Sequence, residues 1–153
     1  MKVKTKDVVA AYKVIKDFKV GAMNDENALA VWRNIKAFRP IAEEYDKNIE
    51  DASKSLQDEE YKAMADRAQK YNEKLAKYQQ EDKPVTEDMK EEVTAINTFF
   101  AERNEKMGKF VTELQSKEVD IDVATIDESE MLKALKANDK SFEDMTVLEW
   151  LLR

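Results

Sequence analysis

Met89, Val93, Ile96, Phe100, Arg103, Met107, Phe110 and Leu114 are separated by steps of 4 and 3 in unbroken alternation. This spacing turns one side of a helix toward a single neighbour, and no strand reproduces it. At 1.5 Å per residue the helix it predicts, over 87–115, is about 43 Å long. Arg103 is its one polar member; an Arg in an apolar seam sends its head to the edge or to a carboxylate, so it is expected to snorkel or pair rather than to contact a ligand, with Glu43 and Glu44 as candidates to meet the seam at that level. A second seam of Tyr61, Met64, Ala68, Tyr71, Leu75 and Tyr78 predicts a helix over 59–81 with Asp58 as its cap. A third, of Ala28, Trp32, Ile35, Phe38, Ala42, Tyr45, Ile49, Ala52 and Leu56, predicts one over 25–56, entered through Asn24-Asp25. Pro40 lies within it. Proline lacks an N–H and crowds the preceding turn, but the seam keeps its phase across the ring, so one helix bent near Pro40 is expected. Short connections around 57–58 and 82–86, the latter with Pro84 as a stop and Thr86 as a cap, make neighbouring helices antiparallel.

The remaining elements are shorter. Thr5 reads as the cap of a first helix over 6–19, carrying Val8, Tyr12, Ile15 and Phe18. The stretch "EVDIDVATID" at 118–127 alternates apolar Val119, Ile121 and Val123 with Asp120 and Asp122, which is the period of a strand. A calcium loop starting at Asp120 would need an oxygen ligand, a Gly and a Glu where Ala124, Thr125 and Met131 stand. The strand needs a partner for its backbone. Only "MKVKT" offers matching alternation, with Lys2 and Lys4 on the same side as Asp120 and Asp122. A short helix near 128–137 follows. Ser141 and Asp144 then form a capping box for a last helix through "VLEWLL". The expected fold is mainly α: long antiparallel helices in a coiled-coil-like bundle, a small two-stranded β-ribbon and a short C-terminal helical subregion. One domain over 1–153 is expected, with a helical body at 6–115 and the strand and C-terminal helices at 118–153.

Composition narrows the chemistry. Among 153 residues there is no Cys and no His, which removes thiolate nucleophiles, zinc sites with Cys or His ligands, and imidazole catalysis. Clusters such as Glu43-Glu44-Asp46 and Glu91-Glu92 could serve a carboxylate-dependent hydrolase or hold magnesium. However, 33 acidic side chains guarantee neighbouring carboxylates on solvated helix faces. Gly21 and Gly108 are isolated, so no phosphate loop is present. No catalytic residue, cofactor site or metal site is expected. Residues 1–56 carry 11 basic and 9 acidic side chains, whereas 118–153 carry 4 and 10. An acidic C-terminal quarter repels phosphate, so nucleic acid is not the expected partner. The alternative is a nucleic-acid-associated protein using Lys2, Lys4, Lys6, Lys13, Lys16 and Lys19. No run suits a membrane span or a signal peptide, and the cytoplasm is the default location.

Tyr61, Tyr71, Tyr78 and Trp32 sit at seam positions and read as core or rim packing. In "MTVLEWLL", Met145, Leu148, Leu151 and Leu152 form the inward stripe, and Val147 and Trp150 lie at its edge. Docking of the last helix accounts for Trp150. An interaction surface through Trp150 and Val147, toward a partner or a second copy, is the other reading.

"NIKAFRPIAEEYDKNIEDASKSL" and the tail "EVDIDVATIDESEMLKAL…SFEDMTVLEWLL" resemble a family of small phage and prophage proteins of unknown function. In that family a helical body with a central acidic helix precedes a valine-acid-isoleucine-acid strand and a Leu-rich closing helix. The likeness covers most of the chain and lies in the order of elements and a few apolar positions. It implies a phage-related origin and a role in virion assembly or in the host cell, and it implies no site residue. The expectation is a non-enzymatic interaction or assembly protein acting through helix surfaces, with a phage or host protein as partner and homo-oligomerisation open.

Overall fold

The computed structural model describes all residues, Met1–Arg153. It contains β1 (Lys2–Lys4), α1 (Thr5–Ile15), α2 (Asp25–Leu56), α3 (Glu59–Gln80), α4 (Glu87–Ser116), β2 (Glu118–Asp120), α5 (Glu128–Ala137), α6 (Phe142–Leu148) and a 3₁₀ turn at Glu149–Leu151. The chain is mainly α, 75% helical, with a small antiparallel sheet of two strands. α2 is one continuous helix of 32 residues with Pro40 inside it. With few glycines to hand, α3 and α5 end on aspartates in the left-handed conformation, Asp82 (φ 52°) and Asp139 (φ 54°). Behind each runs a long return bond, Lys83 N–H to the Tyr78 carbonyl and Lys140 N–H to the Leu135 carbonyl, both 2.9 Å, which satisfies a terminal helix carbonyl.

Two compact units make up the chain: Met1–Asn48 with Glu113–Arg153, and Ile49–Thr112. Their boundaries, at Asn48/Ile49 and Thr112/Glu113, fall inside α2 and α4. The C-terminal elements join β1, α1 and the first three quarters of α2 because the hydrogen bonds that fix them run to those segments.

In the first unit Val8, Ile15, Val31, Phe38, Ile126, Met131, Leu148 and Leu151 are fully enclosed in one apolar cluster. The ribbon pairs Lys2 with Asp120, Val3 with Val119 and Lys4 with Glu118. The register therefore sets Lys4 against Glu118, not Asp122, which lies beyond the strand. Thr5 is the first residue of α1 and not its cap: its N–H and its hydroxyl both donate to the Lys117 carbonyl, each at 2.8 Å. α1 stops at Ile15, short of the expected residue 19. Asn138 engages both the N–H and the carbonyl of Lys19, at 2.8 and 2.9 Å, and draws the chain out of the helix while Phe18 still packs on the core.

The second unit is thinner. Only Met89 and Ile96 are buried along its part of α4, and α3 buries no residue fully. The six seam residues of α3 are half-buried and their neighbours exposed, so the predicted stripe is real but shallow. Tyr61 meets Phe100 edge-on at 5.3 Å and Arg67 meets Glu92 at 2.7 Å. α3 thus descends as α4 ascends, and the two are antiparallel. Asp58 caps α3 by accepting from the Tyr61 N–H, and Thr86 caps α4 by accepting from Met89. Arg103 does not meet Glu43 or Glu44. It donates to the Leu56 carbonyl at 2.8 Å, to Asp58 at 3.1 Å and to Glu60 at 3.2 Å, with its guanidinium over Phe99. One side chain so closes the end of α2 and braces the cap of α3.

Candidate interaction surface

The geometry of the surface follows from what holds α2 in place. Its buried stripe in the first unit is Asn27, Ala30, Val31, Asn34, Phe38 and Ala42. The period is the expected one, but the phase is rotated because two of the inward residues are polar. Asn34 is 0% exposed; its amide donates to the Ala124 carbonyl and accepts from the Ala124 N–H, both at 2.8 Å. One turn-pair earlier, Asn27 accepts from the Asp127 N–H at 2.8 Å and donates to the Asp127 carboxylate at 3.0 Å. Two asparagines seven residues apart thereby act as a strand partner for 124–127.

Other backbone groups of the acidic stretch are paired as well. Ile121 N–H bonds the Met1 carbonyl at 3.0 Å, and Ile126 exchanges bonds of 2.9 Å with the Leu151 carbonyl and the Arg153 N–H. The carboxylates nearby are engaged as well. Asp127 is held below the usual carboxylate range by Arg153, then by Asn27. Glu130, only 6% exposed, is lowered by Lys133 and then by the Asn24 N–H, which it accepts at 2.7 Å. Nowhere do three or more carboxylates converge as a metal cage would require.

Val147 and Trp150 both pack, partly buried, against the core of the first unit. The Trp150 ring lies 5.5 Å from that of Phe38 at 32°, and its indole N–H is enclosed without a partner. Trp32 is in the opposite situation. It is 54% exposed, and Leu29 one turn before it is 46% exposed, so the expectation that Trp32 belongs to the core is corrected. Rotating the stripe onto Asn27 and Asn34 turns Trp32 outward. The Lys36 ammonium sits 5.3 Å from its ring centre.

Leu29, Trp32, Arg33, Lys36, Arg39 and Pro40 are all exposed and recur at helical spacing on the outer face of α2. No acidic residue occurs between Asn27 and Ile41. Arg33, Lys36 and Arg39 make no ion pair within the chain. The sequence did hold a signal for this face, namely the Asn27/Asn34 pair inside an apolar heptad, which reads as inward only once residues 124–127 are known to need donors and acceptors.

The other candidates lie elsewhere. Lys2 and Lys4 face acids across the ribbon. Glu43, Glu44, Asp46 and Glu91 are exposed, and Glu92 is bound by Arg67, which lowers its pKa. A groove of ≈ 350 Å³ between α3 and α4 is lined by Arg67, Lys70, Tyr71, Lys74, Asp88, Met89 and Glu92. No helix is long and apolar enough to cross a membrane.

Fold and surface together define a mainly α-helical protein that presents an aromatic, cationic helix face on a firmly anchored helix. No family model matches the sequence, and no curated protein or solved structure matches it significantly.

Proposed function

We propose that this is a non-enzymatic interaction or assembly protein, phage-related, whose contact surface is the outer face of α2 from Leu29 to Arg39. The observation that carries the reading is Trp32. Exposing a tryptophan beside Leu29 leaves apolar area in water, and large aromatics flanked by arginine are the side chains that dominate binding energy at protein interfaces. The opposite face of the same helix is fixed by Asn27, Asn34 and Phe38, so the surface is presented without an ordering cost on binding. The phage-related origin is supported by the order of sequence elements, and the partner expected on that ground is a phage or host protein.

A pull-down from host-cell or phage lysate tests this. The tagged protein should retain a partner that Trp32→Ala combined with Arg33→Glu loses at unchanged melting temperature, while Val147→Ala retains it. Capture that is indifferent to the α2 face and lost with Val147→Ala would shift the surface to α6.

A further inference from the structure

Phe142 is 77% exposed, more than any other large apolar side chain in the protein. It opens α6, and around it from Asp139 to Glu149 stand Asp139, Glu143, Asp144 and Glu149 against Lys140 alone. Phe142, Thr146 and Glu149 are exposed at steps of 4 and 3, so they form a line along one face. Asp144 is turned back onto the Ser141 N–H at 2.9 Å, while Asp139, Glu143 and Glu149 make no ion pair. The first unit therefore carries two unpartnered aromatic patches of opposite sign: Trp32 and Leu29 among three free cations, and Phe142 among free carboxylates.

We infer that the occupant of the α2 face is a second copy of this chain, which inserts Phe142 beside Trp32 and Leu29 and sets Glu143 and Glu149 against Arg33, Lys36 and Arg39. Each patch supplies what the other lacks. An aromatic anchor meets an aromatic and aliphatic seat, and the surrounding charges fix the register and favour the unlike pairing over either patch with itself. Because the two patches differ, two copies can exchange both contacts about a two-fold axis, or the contact can repeat head-to-tail into a ring or a chain, which suits an assembly role. The inference rests on the proposed contact surface, for which a phage or host protein would compete with the second copy.

Sedimentation velocity over rising concentration tests it. The full chain should associate reversibly, more weakly at high salt. Trp32→Ala and Phe142→Ala, both at exposed positions and so neutral to folding, should each raise the dissociation constant about tenfold or more. Arg33→Glu/Lys36→Glu and Glu143→Lys/Glu149→Lys should each be monomeric alone and should form a complex with one another when mixed. A wild-type chain monomeric up to ~1 mM, an affinity near the weak limit of specific contacts, would overturn the inference. So would association that the two charge reversals leave intact. A monomer that still captures a lysate partner through Trp32 would refute the second-copy contact alone. Self-association through these residues with no lysate partner would leave that contact standing and remove the external one. Binding of a labelled oligonucleotide to the α2 face by a monomeric chain would count against both.

Discussion

Asn34 sets both ends of its amide against the backbone of one residue of another segment, 90 residues away. Replacing it by Ala leaves the N–H and the carbonyl of the half-buried Ala124 without these partners. A fully enclosed orphaned group costs roughly 1–3 kcal/mol; with Ala124 half-buried both groups fall in the lower part of that range, so Asn34→Ala should lower the unfolding free energy by about 2–4 kcal/mol in a urea melt. The exposed neighbour Arg33→Ala should change it by less than about 0.5 kcal/mol. Trp32 and Trp150 show how far single residues were legible in the sequence. Both lie at or near apolar stripes, and hydrophobic spacing alone assigns Trp32 inward. The placement depends on two asparagines whose partners are peptide groups 90 and 100 residues away. A pattern that counts only apolar positions cannot sense that.

At the level of elements, the acidic stretch is a strand for three residues and a tethered strap for the rest. Its amides divide by partner: those of Val119 and Ile121 are covered by the N-terminal segment, and those of Ala124, Ile126 and Asp127 by Asn34, Leu151 and Asn27. An isolated two-stranded ribbon is marginal and depends on packing of Val3 and Ile121 on the helices. Deleting residues 1–4 should therefore speed hydrogen exchange at Val119 and Ile121 while Ala124, Ile126 and Asp127 stay protected. Uniform loss of protection across 119–127 would mean that the strap has no independent anchors. The ribbon itself was readable from alternation and opposite charge. The helices of the second unit were readable from their 3-and-4 steps, down to the Asp58 and Thr86 caps. The end of α1 was not, because Phe18 continues the apolar period while Asn138 captures the backbone of Lys19 from the far end of α5.

Across the whole molecule, Asp127, Glu130 and Asp58 share one direction of titration. Asp127 is lowered mainly by Arg153, Glu130 mainly by Lys133, and Asp58 mainly by the Tyr61 N–H with Arg103 next. A folded-state value below the unfolded one adds stability that is complete above the ordinary carboxylate range and is lost as pH falls through the depressed values. The melting temperature should thus stay level from pH 7 to about 5 and decline below about 4, and Asp127→Asn with Glu130→Gln should flatten that decline. A decline of equal depth in the double variant would assign the acid sensitivity to other groups. The division of the chain into units is a property of this scale too, and sequence order hides it. Residues 1–48 and 113–153 form one unit through pairings such as Thr5 with Lys117, Lys19 with Asn138 and Asn34 with Ala124, whose members lie far apart along the chain.

The outer face of α2 gives the protein its proposed role, and its two tryptophans report on that face directly. Trp150→Phe leaves Trp32 as the sole indole, and Trp32→Phe leaves Trp150. In dilute solution Trp32 should emit as a water-exposed indole and be quenched readily by acrylamide. Relative to free N-acetyltryptophanamide, iodide should quench it more and caesium less, because Arg33, Lys36 and Arg39 attract the anion and repel the cation. Trp150, stacked on Phe38, should be shielded from all three. A shielded Trp32 at concentrations where the chain is monomeric, or a Trp32 without preference for iodide, would contradict an open cationic face on α2.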